Sequence, residues 1–236
     1  MAGQTLTVAQ SETRPRKSAE ENPTRRAGLD AKRLMDTILG AVALLFSLPV
    51  LGFCMLIIRL SSRGPGLLRQ VRLGKDGRPF TMYKLRTMHH DAEAMTGAVW
   101  ATDDDPRVIP VCRWMRRSHV DELPQLLNVL AGQMSLVGPR PERPEIADRL
   151  SEHHEDTHER LAVRPGITGL AQLRCGYDTT HEQFRHKLDA DLEYIRTYCW
   201  WRDLAIIVRT VPCFLGCEKD GKAPTVAMRG DQRASR

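Results

Sequence analysis

The chain has 236 residues, enough for one domain with a substantial core or two small ones. With 35 Lys and Arg against 29 Asp and Glu its formal net charge is +6 and its pI near 9.2, which favours anionic partners: nucleic acid, phosphorylated ligands or an acidic membrane face. Aromatics make up only 6% and there is neither an RNA-recognition signature nor a spaced Cys/His finger, so nucleic acid drops in rank, while six cysteines without framework or ligand spacing point to reduced thiols in a cytoplasmic setting.

Residues 1–30 are polar, rich in Arg, Glu, Thr and Pro and without periodicity, as expected of a disordered basic arm. The run from Thr37 to Ile58 then carries no charge, a transmembrane candidate. It lies too far from the start, and lacks a small-residue cleavage site, to be an ordinary signal peptide. Pro49 falls near its middle, with Ser47 two residues before. A proline there removes one helical hydrogen bond and clashes with the preceding turn, and a serine hydroxyl in the same turn supplies some of the missing satisfaction. From Leu34 to Ser47 the rise is roughly 21 Å at 1.5 Å per residue, short of the roughly 30 Å hydrocarbon core. Arg25, Arg26, Lys32 and Arg33 precede the run and Arg59, Arg63, Arg69 and Arg72 follow it, so the positive-inside rule favours both ends on the cytoplasmic side. A re-entrant membrane helix over 31–60, a hairpin broken at Ser47 and Pro49, satisfies both observations; a kinked single-pass helix is the alternative.

Beyond it, 61–217 reads as one further domain with interfacial helices and 218–236 as a polar tail. Leu67–Leu73 and Pro79–Met88 flank Gly-Lys-Asp-Gly, the signal of a β-hairpin. The two-residue period puts Lys84 and Arg86 on one face of its second strand. Asp91–Gly97 suggests a short helix and Thr102–Pro106 an acidic loop, after which Arg113, Arg116 and Arg117 crowd the approach to Asp121. Leu123, Leu126, Leu127 and Leu130 recur at helical spacing with Pro124 in the first turn. A charged, exposed helix is expected over Pro144–Leu161 and a turn built on Arg164-Pro165-Gly166 over Val163–Gly169. From His181 to about Leu215 the pattern is helical again, with Tyr194, Tyr198, Trp200 and Trp201 leading into Leu-Ala-Ile-Ile-Val, which suits an interfacial amphipathic helix with an aromatic belt. The expected class is thus α+β, mostly helical.

The adjacent carboxylates Asp121 and Glu122 sit at the mouth of the leucine-patterned helix, shortly before Ser-Leu-Val-Gly-Pro-Arg-Pro at 135–141. Acids favour helix N-termini for reasons of dipole alone. Keeping two adjacent carboxylates ionised in a partly dry site, however, needs a cation beside them, either a metal or a basic side chain.

Taken together, several blocks resemble the bacterial sugar transferase family, the monotopic phosphoglycosyl transferases. They are Ser-Leu-Pro at 47–49, Gly64-Pro65 with Gln70 and Arg72, Tyr-Lys-Leu-Arg-Thr-Met at 83–88, Asp105-Pro106-Arg107, Asp-Glu-Leu-Pro-Gln at 121–125, Met-Ser-Leu-Val-Gly-Pro-Arg-Pro at 134–141 and Val-Arg-Pro-Gly-Ile-Thr-Gly at 163–169. Departures are small: His119 stands where Ser is common and Leu85 where Phe is usual. The resemblance implies a bare catalytic domain at the cytoplasmic face of the inner membrane, a UDP-sugar donor and a polyprenyl (undecaprenyl) phosphate acceptor. It implies Asp121 as nucleophile and Glu122 as the ligand of Mg²⁺, which keeps water and substrate oxygens for the rest of its shell. Arg140 suits a planar grip on phosphate oxygens, with Lys84, Arg86, Arg116 and Arg164 as further candidates. The competing functions are a non-catalytic membrane-surface scaffold and a metal-dependent diphosphate hydrolase.

His154 and His158 have the spacing of a helical metal pair, but with His153 they read as a solvated face, since no third ligand is indicated. Asp103 and Asp104 suggest a turn cluster before Pro106. The transferred sugar, the oligomeric state and the role of Asp105 and Arg107 are not legible in the sequence.

Overall fold

The computed structural model describes residues 23–89, 92, 105–174 and 181–214. Eleven regular elements follow in order: α1 (Pro23–Ser61), β1 (Leu67–Leu73), β2 (Pro79–Leu85), α2 (Arg113–Arg117), α3 (Leu126–Leu130), β3 (Ser135–Val137), α4 (Pro144–Ser151), β4 (Gly166–Thr168), α5 (Leu170–Arg174), α6 (His181–Thr197) and α7 (Trp200–Phe214), with short 3-10 turns between some of them. The class is mostly helical with two small two-stranded sheets.

By length and composition α1 can cross a membrane. Its buried positions Asp36, Gly40, Ser47, Leu51, Cys54 and Ile58 recur at steps of three and four or their sum, so one face is covered along its length. Between its charged ends the rest is largely bare and apolar, with Leu45, Phe46, Phe53 and Leu60 exposed. The helix continues through Pro49, so the hairpin break expected at Ser47 and Pro49 is not an interruption of the helix. Ser47 Oγ donates to the Leu44 carbonyl at 2.9 Å, next to the Leu45 carbonyl that Pro49 leaves without an amide donor.

Both ends of α1 hold the same body. Near its start Arg33 donates to the carbonyls of Val129 (2.6 Å) and Leu130 (3.0 Å), closing the C-terminus of α3. Lys32 pairs with Asp203 of α7 at 2.5 Å, and Asp36 accepts from Ser135 Oγ (2.8 Å) and the Leu136 amide (3.1 Å). Near its end Leu51, Cys54 and Ile58 enter a core with Leu85, Ile109, Cys112 and Met115.

β1 and β2 form the expected antiparallel hairpin, in register from Leu67↔Leu85 to Leu73↔Pro79. β3 and β4 form a parallel pair instead of the turn expected at 163–169. The charged helix expected over Pro144–Leu161 stops at Ser151, and a 3-10 segment covers Glu155–Ala162. That region is not wholly exposed, because Ile146 and Leu150 pack on Phe184, Leu188 and Leu192 of α6. The helical stretch from His181 is broken in two at Tyr198 and Cys199. Helix begins already at Pro23, so residues 23–30 are helical where a disordered arm was expected. Residues 1–22, Asp103, Asp104, the 218–236 tail and, apart from Ala92, the Asp91–Gly97 segment lie outside the described residues.

Candidate active site

Asp121 and Glu122 lie in a 3-10 turn, Val120–Gln125, that runs into α3; both carboxylates are buried. The turn is entered through His119, held in the left-handed region at φ 53°, an uncommon conformation for a residue other than glycine. Met115 of α2 is buried in the core shared with α1, which fixes the approach.

The two carboxylates have different surroundings. Arg140 makes a fork on Glu122, Nη2 to Oε1 at 2.5 Å and Nη1 to Oε2 at 3.2 Å. No hydrogen bond or ion pair among the described residues engages the Asp121 carboxylate. Burial, and then the charge of Glu122, push the Asp121 carboxyl up, against the pull of Lys84, Arg116 and Arg140. Burial would raise Glu122 as well, but the Arg140 charge and fork outweigh it and hold the carboxyl low. Lys84, on β2, is brought to this pair, and burial pushes its ammonium down to about 8 despite the two carboxylates. Arg116 is also near: its charge acts on Asp121, and its Nη1 lies 3.5 Å from Thr87 Oγ1.

Two expected cations stand apart. Arg86 is buried with its guanidinium on the carbonyls of Ser62 and Arg63, where it closes the end of α1. Lys84 and Arg86 therefore do not serve one group, because the strand ends at Leu85 and its alternation ends with it. Arg164 is exposed and no described contact joins it to the pair. Asp105 and Arg107 pair with each other, Nε and Nη2 of Arg107 reaching the carboxylate at 2.9 and 2.6 Å. His154 lies tilted against Phe184, with ring centroids 5.4 Å apart.

Arg140 is held by its backbone. The four carbonyls of Pro139, Arg140, Pro141 and Glu142 accept, in turn, from the Gly166 amide (2.9 Å), Arg160 Nη2 (3.2 Å), Arg72 Nη1 (3.0 Å) and the Leu73 amide (3.0 Å). Prolines 139 and 141 fix φ on either side of the arginine. The neighbouring ribbon needs glycine: a Cβ on Gly166 would stand 2.1 Å from the Gly138 nitrogen. Arg160 is itself buried on Asp191 at 2.8 Å. Sequence reasoning gave neither Arg72 nor Arg160 a place at the site. Arg72 carried a signal, since Gln70 two residues earlier shares its strand face and accepts from it at 2.6 Å; Arg160 carried none, its partner lying 31 residues away.

The site is thus two buried carboxylates ringed by Lys84, Arg116, Arg140 and, behind Arg140, Arg72. Such an excess of cations suits a ligand with more than one negative charge. Two adjacent carboxylates are hard oxygen donors of the kind Mg²⁺ takes together with substrate phosphates. Glu122 would have to share its oxygens between that ion and Arg140.

The family described as Bacterial sugar transferase matches residues 27–216. Over 196 residues the chain is 44% identical to a Caulobacter vibrioides protein named UDP-glucose:undecaprenyl-phosphate glucose-1-phosphate transferase, covering 82% of this chain and 73% of that one. It is 38% identical over 184 residues to an Aeromonas hydrophila UDP-N-acetylgalactosamine-undecaprenyl-phosphate N-acetylgalactosaminephosphotransferase, covering 78% of this chain but 43% of that protein. It is 39% identical over 185 residues to the exopolysaccharide production protein PSS of Rhizobium leguminosarum, covering 76% and 92%.

Proposed function

The chain belongs to the bacterial sugar transferase family, and from that premise we propose that it moves a sugar 1-phosphate from a UDP-sugar to undecaprenyl phosphate through a covalent intermediate on Asp121. The observation that carries the division of labour is the asymmetry of the acidic pair: Glu122 is gripped by Arg140, whereas no described contact occupies Asp121.

An Asp121 oxygen attacks the phosphorus that bears the sugar. The bond from that phosphorus to the bridging oxygen breaks, and uridine monophosphate leaves with the electron pair. The acyl phosphate on Asp121 then meets the lipid phosphate, whose oxygen attacks the same phosphorus and returns the carboxylate. No proton has to move in either half, so no general acid or base is required. The chemistry brings anions together, and each unit repulsion near 4 Å costs about 1–4 kcal/mol between bulk water and a protein-surface dielectric. Lys84, Arg116 and Arg140 offset that repulsion, and Arg140 can present one nitrogen to a phosphate oxygen while the other stays on Glu122. Mg²⁺, held by Glu122, would supply charge neutralisation at the diphosphate.

The two steps need a domain that meets both water and lipid. A helix whose two ends grip one body cannot place those ends on opposite sides of a bilayer with that body between them. This supports re-entry of α1 with its apolar middle in the membrane and the catalytic body on the cytoplasmic face. Relatives named for glucose and for N-acetylgalactosamine leave the sugar open.

The test is turnover by the full chain in detergent with undecaprenyl phosphate, Mg²⁺ and a panel of UDP-sugars. Uridine monophosphate and a lipid-linked diphosphate sugar should appear in equal amounts. Nucleotide release without lipid product would make the protein a hydrolase, and no release with any donor would leave a scaffold.

A further inference from the structure

The last turns of α1 and the Pro110–Arg117 segment meet through Cys54, Ile58, Cys112 and Met115. These two segments carry four exposed arginines, Arg59, Arg63, Arg113 and Arg117. Among the described residues none of the four side chains has a hydrogen bond or ion pair. Neither 52–66 nor 108–118 contains an Asp or Glu to neutralise them. Arg113 and Arg117 even stand four apart on one helix, a like-charge spacing that destabilises it. The same segments expose apolar side chains: Leu60 at 78%, Val111 at 43% and Trp114 at 43%.

We propose that this corner is a docking surface for the phosphate headgroups of anionic phospholipids, with Leu60, Val111 and Trp114 at the acyl boundary and the four arginines on the phosphates above them. Charge complementarity selects a phosphate partner, for which the guanidinium fork is suited. Continuity selects a lipid, because the exposed apolar face of α1 runs up to Leu60 and a Trp prefers the headgroup level. Arg116 lies outside this set; its charge acts on Asp121 and its guanidinium reaches Thr87, so the short helix α2 separates site cations from surface cations. The inference rests on the reading of α1 as a membrane element.

The experiment follows the melting temperature of the full chain in neutral detergent as phosphatidylglycerol, phosphatidylcholine or undecaprenyl phosphate is added. A lipid that binds only the folded state raises the melting point. Phosphatidylglycerol should raise it more than phosphatidylcholine, and the difference should shrink at high salt. Arg113→Gln/Arg117→Gln should melt no lower than wild type in detergent alone, since a repulsion has been removed. It should need roughly 30-fold more phosphatidylglycerol for half the effect, from about 1 kcal/mol per surface arginine, whereas Arg113→Lys/Arg117→Lys should keep most of the effect. Equal responses to the two phospholipids, or an undiminished response in the glutamine variant, would overturn the proposal. So would a response confined to undecaprenyl phosphate, which would give the corner to the acceptor. Turnover is read separately in phosphatidylcholine nanodiscs: its absence in wild type counts against the transferase reading, while the phosphatidylglycerol response still decides this one.

Discussion

A buried carboxylate beside another is costly to keep ionised, and in this chain the cost falls on Asp121, because Arg140 covers Glu122. Asp121→Asn should therefore abolish the sugar-phosphate adduct seen by intact mass spectrometry and yet melt at or above the wild-type temperature, by about 1 kcal/mol of added stability at neutral pH. A variant that loses both adduct and stability would make Asp121 structural. Asp105 has the opposite sign. Its hydrogen bonds from the Arg107 side chain, more than any other influence, hold its carboxyl down at about 2. A depressed carboxyl contributes stability that is complete above the ordinary aspartate value and fades as pH falls toward the folded one. Asp105→Asn should lose about 1–2 kcal/mol at pH 6, with the melting difference from wild type closing between about pH 4 and pH 2; a constant difference would show that the pair's charge is not what stabilises. This local clamp, two residues apart, gives the Asp105-Pro106-Arg107 block a structural role.

At the level of elements, the β3–β4 ribbon and the α6 strut decide where Arg140 stands. Gly166→Ala would drive a methyl into the Gly138 backbone, which cannot retreat as a side chain can, so a loss of about 3 kcal/mol or more is expected in chemical denaturation. Gly52→Ala, with nothing within 4 Å of the added atom, should be tolerated. Arg160→Met should cost about 3–5 kcal/mol by stranding Asp191, while Arg160→Met/Asp191→Leu should recover part of that loss. If the double variant is no better than the single, the pair is not the coupled unit described. The sequence carried the hairpin plainly, because Gly-Lys-Asp-Gly and the flanking alternation are local. It did not carry the ribbon, since three-residue strands have no period to read, nor the break after Ser151, where no Gly or Pro interrupts the charged pattern. Arg160 looked like one more solvated charge because what buries it is α6, folded back from 31 residues on.

For the whole molecule, the two anchors of α1 predict a topology. Single cysteines introduced at Arg25 and Ser61 of a chain whose own cysteines are replaced should both react with a membrane-impermeant maleimide from the cytoplasmic side, in inverted vesicles and not in intact cells; opposite accessibility would mean a single span. The charge on both flanks and the apolar run between them were legible in the sequence, whereas the break expected at Ser47 and Pro49 does not interrupt the helix. The tethers Lys32–Asp203 and Arg33–Val129 were not legible, since they join positions about a hundred or more residues apart. The same long reach governs when the site comes into being. The four carbonyls around Arg140 are pinned by Arg72 and Leu73 from far upstream and by Arg160 and Gly166 from downstream. Closing such distant contacts is a late and slow event in folding. A chain still emerging from the ribosome, or one unfolded past its hairpin, therefore has the arginine but not its aim. On the proposed function, catalytic competence reports complete folding, and a partly assembled chain is chemically silent toward nucleotide sugars.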